Sequence, residues 1–340
     1  EFRRVLFRSI VESSNVYFYS LANELGVDTI HDQMEPLGFG RLTGIDLLGE
    51  VKGILPSTDW KKRAYKRPEQ RRWYAGETIS LGIGQGYNTF TMLQVASAMA
   101  TLVSDGQRFQ PRVVREVEDV VTRERRVISS QALSRVPYNP EHTAFIREAM
   151  FGVTREGTGT RVFAGSDYLS GGKTGTAQAV TMRQNEKYNA SKMDEYRRDH
   201  SLYEAFAPLD NPRVALAVIV ENAGFGSQAA APIARRVLDY LISGIYPSEE
   251  DIVAVGEGRG IAPTGESRRV SDVPVPRGMD AFRSDVTKGS EGPAAPASAA
   301  SAASGSVAAS TSASASASAS ASAVLPAASA VPVPIFGGRR

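Results

Sequence analysis

The sequence predicts an α+β fold, with an antiparallel sheet flanked by helices. Three strand-like runs follow one another at 170–178, 203–208 and 214–221. The last two are joined by Leu209-Asp210-Asn211-Pro212, a cluster of turn-forming residues. Segments with apolar residues at helical spacing lie before and after these runs. Consecutive strands bracketed by helices indicate an antiparallel sheet in an α+β domain.

Residues 1–9 (EFRRVLFRS) stand apart at the start of the chain. Val5-Leu6-Phe7-Arg8-Ser9 can be back-translated as GTG CTC TTC CGA TCT, which resembles the shared end of widely used sequencing adapters. The stretch therefore reads as a non-native arm, to be set aside in fold reasoning; the alternative is a genuine basic arm. From Ile10 onward, Phe18, Leu21, Ala22 and Leu25 fall at i, i+3, i+4 and i+7, and Gly26 stops the helix they define. Ser13-Ser14-Asn15 precedes that helix, and taken alone it reads as N-cap residues.

Repeated glycines across 37–56 break any long element and predict a loop-rich crossing. The stretch 60–73 carries seven basic residues: Lys61, Lys62, Arg63, Lys66, Arg67, Arg71 and Arg72. Such a run reads as a solvated face; the sharper alternative is a patch meeting an anionic lipid-linked substrate. Gly82-Ile83-Gly84-Gln85-Gly86 follows, and then a helix in which Met92, Val95, Ala96 and Met99 keep helical spacing up to Asp105-Gly106. The glycine spacing fits neither the dinucleotide fingerprint nor the P-loop, which excludes a nucleotide.

Pro140 starts a further helix, whose buried stripe is Ile146, Ala149, Met150 and Val153. Glu156-Gly157-Thr158-Gly159-Thr160 makes the turn after it. Between the first two strands, 181–199 is polar without a period, as expected of a lid or an excursion. A closing helix at 229–242 is expected to bury Ile233, Val237 and Leu241. Periodicity fades from Pro247, so 247–288 reads as a linker. The Ala/Ser/Pro-rich stretch 289–340, with Ser/Ala alternation from 312 to 323, reads as a disordered tail, because alanine buries too little area to offset its ordering entropy.

Composition limits the chemistry. A net charge of +2 over 340 residues provides no global field for nucleic acid, and no nucleic-acid partner is expected. There is no cysteine, which excludes disulfides, Cys-based zinc sites and thiol catalysis. His31, His142 and His200 lie far apart with no metal-ligand spacing, so neither metal nor cofactor is expected. No apolar run approaches the roughly 20 residues that span a bilayer.

The chemistry gathers at Ser170-Gly171-Gly172-Lys173-Thr174-Gly175-Thr176-Ala177-Gln178. Glycines on a strand allow close backbone approach. Lys173 offers a compact cation with three donors, and Thr174 and Thr176 add hydroxyls, a set suited to a carboxylate or an acyl group. The bland alternative is a glycine-rich turn with a surface lysine.

Lys173-Thr174-Gly175, Ser13-Ser14-Asn15, the 82–86 run with its helix and the 157–160 turn occur in the order found in penicillin-binding proteins. More closely, 10–246 resembles the transpeptidase domain of the class B, elongation-type members. That match rests on Thr43-Gly44-Ile45-Asp46-Leu47, Trp73-Tyr74-Ala75-Gly76-Glu77-Thr78, 82–87, Lys187-Tyr188-Asn189 and the 198–208 block. The resemblance implies a penicilloyl serine transferase fold. It also implies a reaction in which a serine attacks the D-Ala-D-Ala end of a peptidoglycan stem peptide, releases D-alanine and passes the acyl group to a neighbouring amine; β-lactams stall the acyl-enzyme. By the same resemblance Lys173, Thr174, Gly175 and Thr176 bind the substrate carboxylate, with the Thr176 N–H as an oxyanion donor. Ser13 relays a proton to the leaving amine, and Asn15 holds a substrate amide. A bacterial inner-membrane anchor, a periplasmic catalytic domain and a polytopic glycosyltransferase partner are implied likewise.

The chain departs from the family in one respect. The nucleophilic Ser-x-x-Lys belongs a few dozen residues before Ser13, where this sequence has only the suspect arm, so the domain reads as N-terminally truncated and, as it stands, unable to acylate. The single match, Ser170-Gly171-Gly172-Lys173, falls on the strand and reads as accidental. The alternatives are a septal class B enzyme, against which the 198–208 block argues, and a D,D-carboxypeptidase or β-lactamase, which the long 37–86 segment disfavours. A non-catalytic β-lactam-binding or sensing domain is the third.

Overall fold

The computed structural model describes residues 1–180 and 193–273. Lys187-Tyr188-Asn189, most of the polar 181–199 connection and the Ala/Ser-rich 289–340 stretch lie outside the described residues.

Helices α1 (Phe2–Val11), α2 (Asn15–Leu25) and α3 (Val27–Met34) open the chain. Residues 1–9 form most of α1. Leu6, Phe7 and Ile10 pack with Phe18, Ala149 and Val153 into one apolar cluster. The stripe read on α2 is only partly interior, since Leu25 is 45% exposed. No long element forms between 38 and 57, where Gly38, Gly40, Gly44, Gly49 and Gly53 all take positive φ. Two carboxylates fix this crossing instead. Glu50 accepts from the Thr43 and Gly44 N–H groups at 2.6 and 3.1 Å. Asp46 accepts from those of Val113 and Val114 at 2.6 and 2.9 Å, and these two bonds hold its carboxyl below the usual range.

Three short helices follow: α4 (Thr58–Ala64), α5 (Pro68–Arg71) and α6 (Ala75–Leu81). They correct the reading of 60–73 as a wholly solvated face. Lys61 is only 3% exposed, ion-paired to Glu77 and ringed by Trp73, Tyr74 and Tyr87 at 5.4, 5.3 and 5.5 Å. An ammonium tolerates burial when a carboxylate and aromatic faces replace its water. The other six basic residues of the run are exposed.

Helix α7 (Met92–Val103) starts at a capping box, with the Gln94 N–H donating to Thr91 Oγ1 at 3.1 Å and Gln94 Oε1 accepting from the Thr91 N–H at 3.0 Å. Strands β1 (Gln107–Phe109), β2 (Glu116–Glu118), β3 (Arg125–Val127) and β4 (Ala132–Arg135) then pair as β1–β4 and β2–β3. None of the four was apparent in the sequence. Helix α8 (Pro140–Arg155) has Pro140 at its first position and Asn139 Oδ1 accepting the Glu141 N–H at 2.9 Å. Its stripe packs as expected, with Ala149, Met150 and Val153 buried.

After α9 (Thr160–Phe163) come β5 (Gly171–Ala177), β6 (His200–Ala207) and β7 (Val214–Val220), antiparallel in that order. Alternation along β6 divides two cores. Phe206 meets Met99 and Met150 from α7 and α8. Tyr203, Ala205 and Ala207 meet Ala230, Ala231, Ala234 and Leu238 of α10 (Ala230–Leu238) on the opposite face. The sheet thus lies between two helical layers, the α+β arrangement the sequence indicated.

The phase expected for the closing helix is corrected. Its buried face is alanine-rich, whereas Val237 is 39% exposed and Ile233 and Leu241 are only partly buried. Small side chains let α10 approach the sheet, and Arg235 and Arg236 fill the flanks. Arg235 Nε donates to Asp239 at 2.6 Å.

The segment read as a linker is folded over its described part. Strand β8 (Ile245–Tyr246) pairs with β9 (Arg268–Arg269), and α11 (Glu249–Gly256) lies between them. Asp251, 1% exposed, takes two bonds from the Arg236 guanidinium at 2.6 and 3.0 Å.

Candidate active site

Ser13 occupies the turn between α1 and α2 at φ 58, a left-handed conformation that non-glycine residues rarely adopt. The Ser14 N–H donates to Ser9 O at 2.9 Å and the Ser13 N–H to Ile10 O at 3.3 Å, which pins that turn. Ser13 does not cap α2. The cap residue is Ser14, and its side chain makes no capping bond. Ser13 Oγ instead accepts a 2.7 Å hydrogen bond from Lys173 Nζ, across 160 positions of sequence. Lys173 Nζ also donates to Thr174 O at 2.8 Å. Asn15 begins α2, exposed, and its side chain makes no hydrogen bond to any described residue.

Lys173, Thr174, Gly175 and Thr176 all lie on β5, which among the described residues pairs only with β6 and so has one free edge. Thr174 Oγ1 is 2.9 Å from Thr158 Oγ1 of the 157–160 turn. Gln85 Nε2 donates to Thr176 O at 3.3 Å, which brings the Gly82–Gly86 loop to the same strand. Strand alternation sends Lys173 to the α7/α8 side and Thr174 and Thr176 to the other. A ligand reaches the ammonium and both hydroxyls together only by lying along the free edge, as an added strand does.

Glycine is required where the backbone around this strand is crowded. A Cβ on Gly172 would fall 2.1 Å from the Tyr203 hydroxyl. One on Gly226 would fall 2.5 Å from Gly175 O and 2.3 Å from Leu202 O, both backbone atoms that cannot step aside. Gly226→Ala is therefore expected to lower stability by about 1–3 kcal/mol, measured as a shift in the urea midpoint with unchanged slope. An unchanged midpoint would show that the 222–229 loop stands off β5. Ser201, opposite Thr176 and fully buried, ties this loop down by donating to Phe225 O and accepting from the Ala230 N–H, both at 3.0 Å.

Burial pushes the Lys173 ammonium down to about 8, against the pull of the Glu204 carboxylate. Burial pushes Glu204 up to about 7, against the pull of Lys173. A charged lysine can only donate, so Ser13 Oγ accepts from it and its own hydroxyl proton points elsewhere, available for transfer. Ser170 and Lys173 do not form a nucleophile pair. Ser170 is buried at the entrance to β5, its carbonyl held by Thr154 Oγ1 at 2.7 Å, and residues three apart on a strand face opposite ways.

Sequence reasoning did not single out Gln85 or Thr158 as contact residues, although both stand in glycine-rich segments it noted. It also passed over Glu204, whose signal was a carboxylate inside an otherwise apolar strand. No group of His, Asp and Glu among the described residues could hold a metal ion, and none of their helices is long and apolar enough to cross a membrane.

The family model for the penicillin-binding protein transpeptidase domain matches residues 3–239. Among curated proteins, the chain is 38% identical over 255 residues to the peptidoglycan D,D-transpeptidase MrdA of Haemophilus influenzae, covering 72% of this chain and 37% of that protein. It is 36% identical over 259 residues to MrdA of Escherichia coli, covering 74% and 40%. Among solved structures, Pseudomonas aeruginosa PBP2 in complex with WCK 5153 is similar at a TM-score of 0.57 and 34% identity, over 69% of this chain and 49% of that one. PBP2 of Helicobacter pylori, in its complex with MreC, is similar at 0.53 and 26%, over 69% and 41%. The chain spans well under half the length of these curated relatives.

Proposed function

The chain belongs to the penicillin-binding protein transpeptidase family, and on that premise we propose that it is part of an elongation-type peptidoglycan D,D-transpeptidase. The observation that carries this reading is the 2.7 Å bond from Lys173 to Ser13 beside the free edge of β5. The nucleophile is a serine outside these 340 residues, in a Ser-x-x-Lys upstream of Ser13. Its Oγ attacks the penultimate D-alanine carbonyl of a stem peptide. The Thr176 N–H stabilises the oxyanion, while Lys173 with the Thr174 and Thr176 hydroxyls holds the terminal carboxylate. Gly175 leaves the edge open to the peptide, and Asn15 takes a substrate amide. As the C–N bond breaks, Ser13 passes its proton to the nitrogen of the departing D-alanine and takes in its place the proton released by the attacking serine hydroxyl. An amine from a second strand then attacks the ester and restores the serine.

The same reading places the enzyme at the bacterial inner membrane with its catalytic domain in the periplasm, serving cell elongation and cell shape. Two structural neighbours support the idea of protein partners: the H. pylori PBP2–MreC complex, and a peptidoglycan synthase complex described as coordinating polymerisation and cross-linking. A polytopic glycosyltransferase is the partner proposed here. Residues 1–9 are proposed to be non-native sequence.

Sequencing the source locus across the junction at Ile10, then labelling the product with a fluorescent penicillin, tests this reading. The extended protein is expected to carry Ser-x-x-Lys and to label on that serine, while the 340-residue chain stays unlabelled. An upstream segment without that serine, or labelling at Ser13 or Ser170, would overturn it and favour a non-catalytic binding domain.

A further inference from the structure

Glu204 is a carboxylate that the proposed reaction leaves without a task. It lies on β6 directly opposite Lys173, and directly opposed residues of an antiparallel pair share a face. That face is the one covered by α7 and α8, so both side chains are partly buried beneath helices. Glu204 makes no hydrogen bond to any described residue, and a buried carboxylate without one is costly unless a nearby cation offsets it.

Among the described residues, no other charge on this face competes for it. On β5 its neighbours are Gly171 and Gly175, on β6 Leu202 and Phe206, and on β7 Ala215, Ala217 and Ile219. Helix α7 has no ionisable side chain from Met92 to Val103. On α8, Arg147 is turned to Leu209 O at 2.7 Å, Arg155 lies over Phe151, and Glu141, His142 and Glu148 are exposed. In the Ser13 turn, Glu12 pairs with Arg8. Among the described residues, the cation paired in charge with Glu204 is Lys173, directly opposite it on β5, and the Glu204 carboxylate in turn pulls on Lys173.

We propose that Glu204 is a positioning residue of this site: from the neighbouring strand it supplies the counter-charge that keeps the Lys173 ammonium protonated while it holds Ser13 and faces the substrate carboxylate. Its value to catalysis rests on the transpeptidase reading. The electrostatic coupling itself does not, and it can be read without a nucleophile. Without Glu204, burial alone acts on Lys173, and near neutral pH the lysine loses much of its charge. The positive potential for a carboxylate falls with it.

The test is a pH titration of the Lys173 ε-carbon by NMR in the 340-residue chain, assigned by its loss in Lys173→Met. The wild type is expected to titrate near 8, and Glu204→Gln to lower that midpoint by about one pH unit or more, a roughly tenfold change in the dissociation constant. Glu204→Asp should restore most of it. A purely structural role for Glu204 would not move the midpoint. If Glu204→Gln does not fold, the reciprocal measurement decides: the Glu204 carboxyl should titrate higher in Lys173→Met than in the wild type. An unmoved midpoint in either variant overturns the proposal, as does a wild-type lysine that titrates at its ordinary value. Failure of penicillin labelling in the extended protein would instead strike the transpeptidase reading and leave this titration intact.

Discussion

Lys173→Ala, made in the nucleophile-bearing form of this protein, is expected to slow acylation by a β-lactam about 100- to 1,000-fold, the scale on which losing one preorganised donor at a developing charge acts. The substitution removes the ammonium that donates to Ser13 Oγ at 2.7 Å, and with it the positive potential at the free edge of β5. Ser13 then has no fixed donor to orient its hydroxyl. Lys173→Arg should not rescue, because a planar guanidinium cannot reproduce a point cation bonded to both Ser13 Oγ and Thr174 O. Stopped-flow acylation rates measure the effect, with thermal unfolding as the control. Lys173→Ala also leaves Glu204 without its counter-charge, so some loss of stability is expected, and acylation that stays slow at a temperature where the variant is fully folded would be chemical. A loss under tenfold would mean that Lys173 stands outside the reacting centre.

Arg236→Met is expected to cost about 3–5 kcal/mol, because it strands a buried carboxylate. Asp251 is 1% exposed and takes two bonds from Arg236, supplemented by the Thr264 N–H at 3.1 Å. Arg236 also donates to Pro232 O and Ile261 O, at 3.1 and 3.0 Å, so the guanidinium ties α10 to the chain after α11. Urea unfolding should show the loss, and limited proteolysis should release the 247–273 region first. The double variant Arg236→Met with Asp251→Leu should recover most of the stability, since no charge is then left alone. If the single variant costs under 1 kcal/mol, Asp251 is hydrated and the segment is only loosely attached.

The parts of this fold that were legible in the sequence are those whose buried faces carry large apolar side chains. Ile146, Met150 and Val153 mark α8 at helical spacing, and β6 and β7 announce themselves by apolar runs around a turn. Helix α10 misled because its interior face is Ala230, Ala231 and Ala234, a weaker signal than Ile233 and Val237, while Arg235 and Arg236 are interior through ion pairs. Similarly, Lys61 is caged by aromatic rings that sequence spacing places 12 or more positions away. Strands β2 and β3 are mostly exposed and leave no alternating pattern to read.

The site shows the same division. Ser13 and Lys173 lie 160 residues apart, and only the order of motifs suggested that they meet; their hydrogen bond is a tertiary fact. Gln85 and Thr158 reach β5 through loop conformations that residue type does not encode. Glu204 was within reach of sequence reasoning. On a strand that places Leu202 and Phe206 inside, a carboxylate between them is buried too, and the antiparallel partner of that position is the lysine.

The central claim is that this chain carries the substrate-binding half of an amine-accepting acyl-transfer site. Product analysis tests it most directly: a stem pentapeptide ending in D-Ala-D-Ala, with an acceptor amine, offered to the extended protein and resolved by mass spectrometry. D-alanine release together with an amide-linked dimer is the expected result, both slowed about 100-fold or more in Ser13→Ala and Lys173→Ala. Release of D-alanine with only a hydrolysed tetrapeptide would contradict it, because water and not an amine would then be the acceptor.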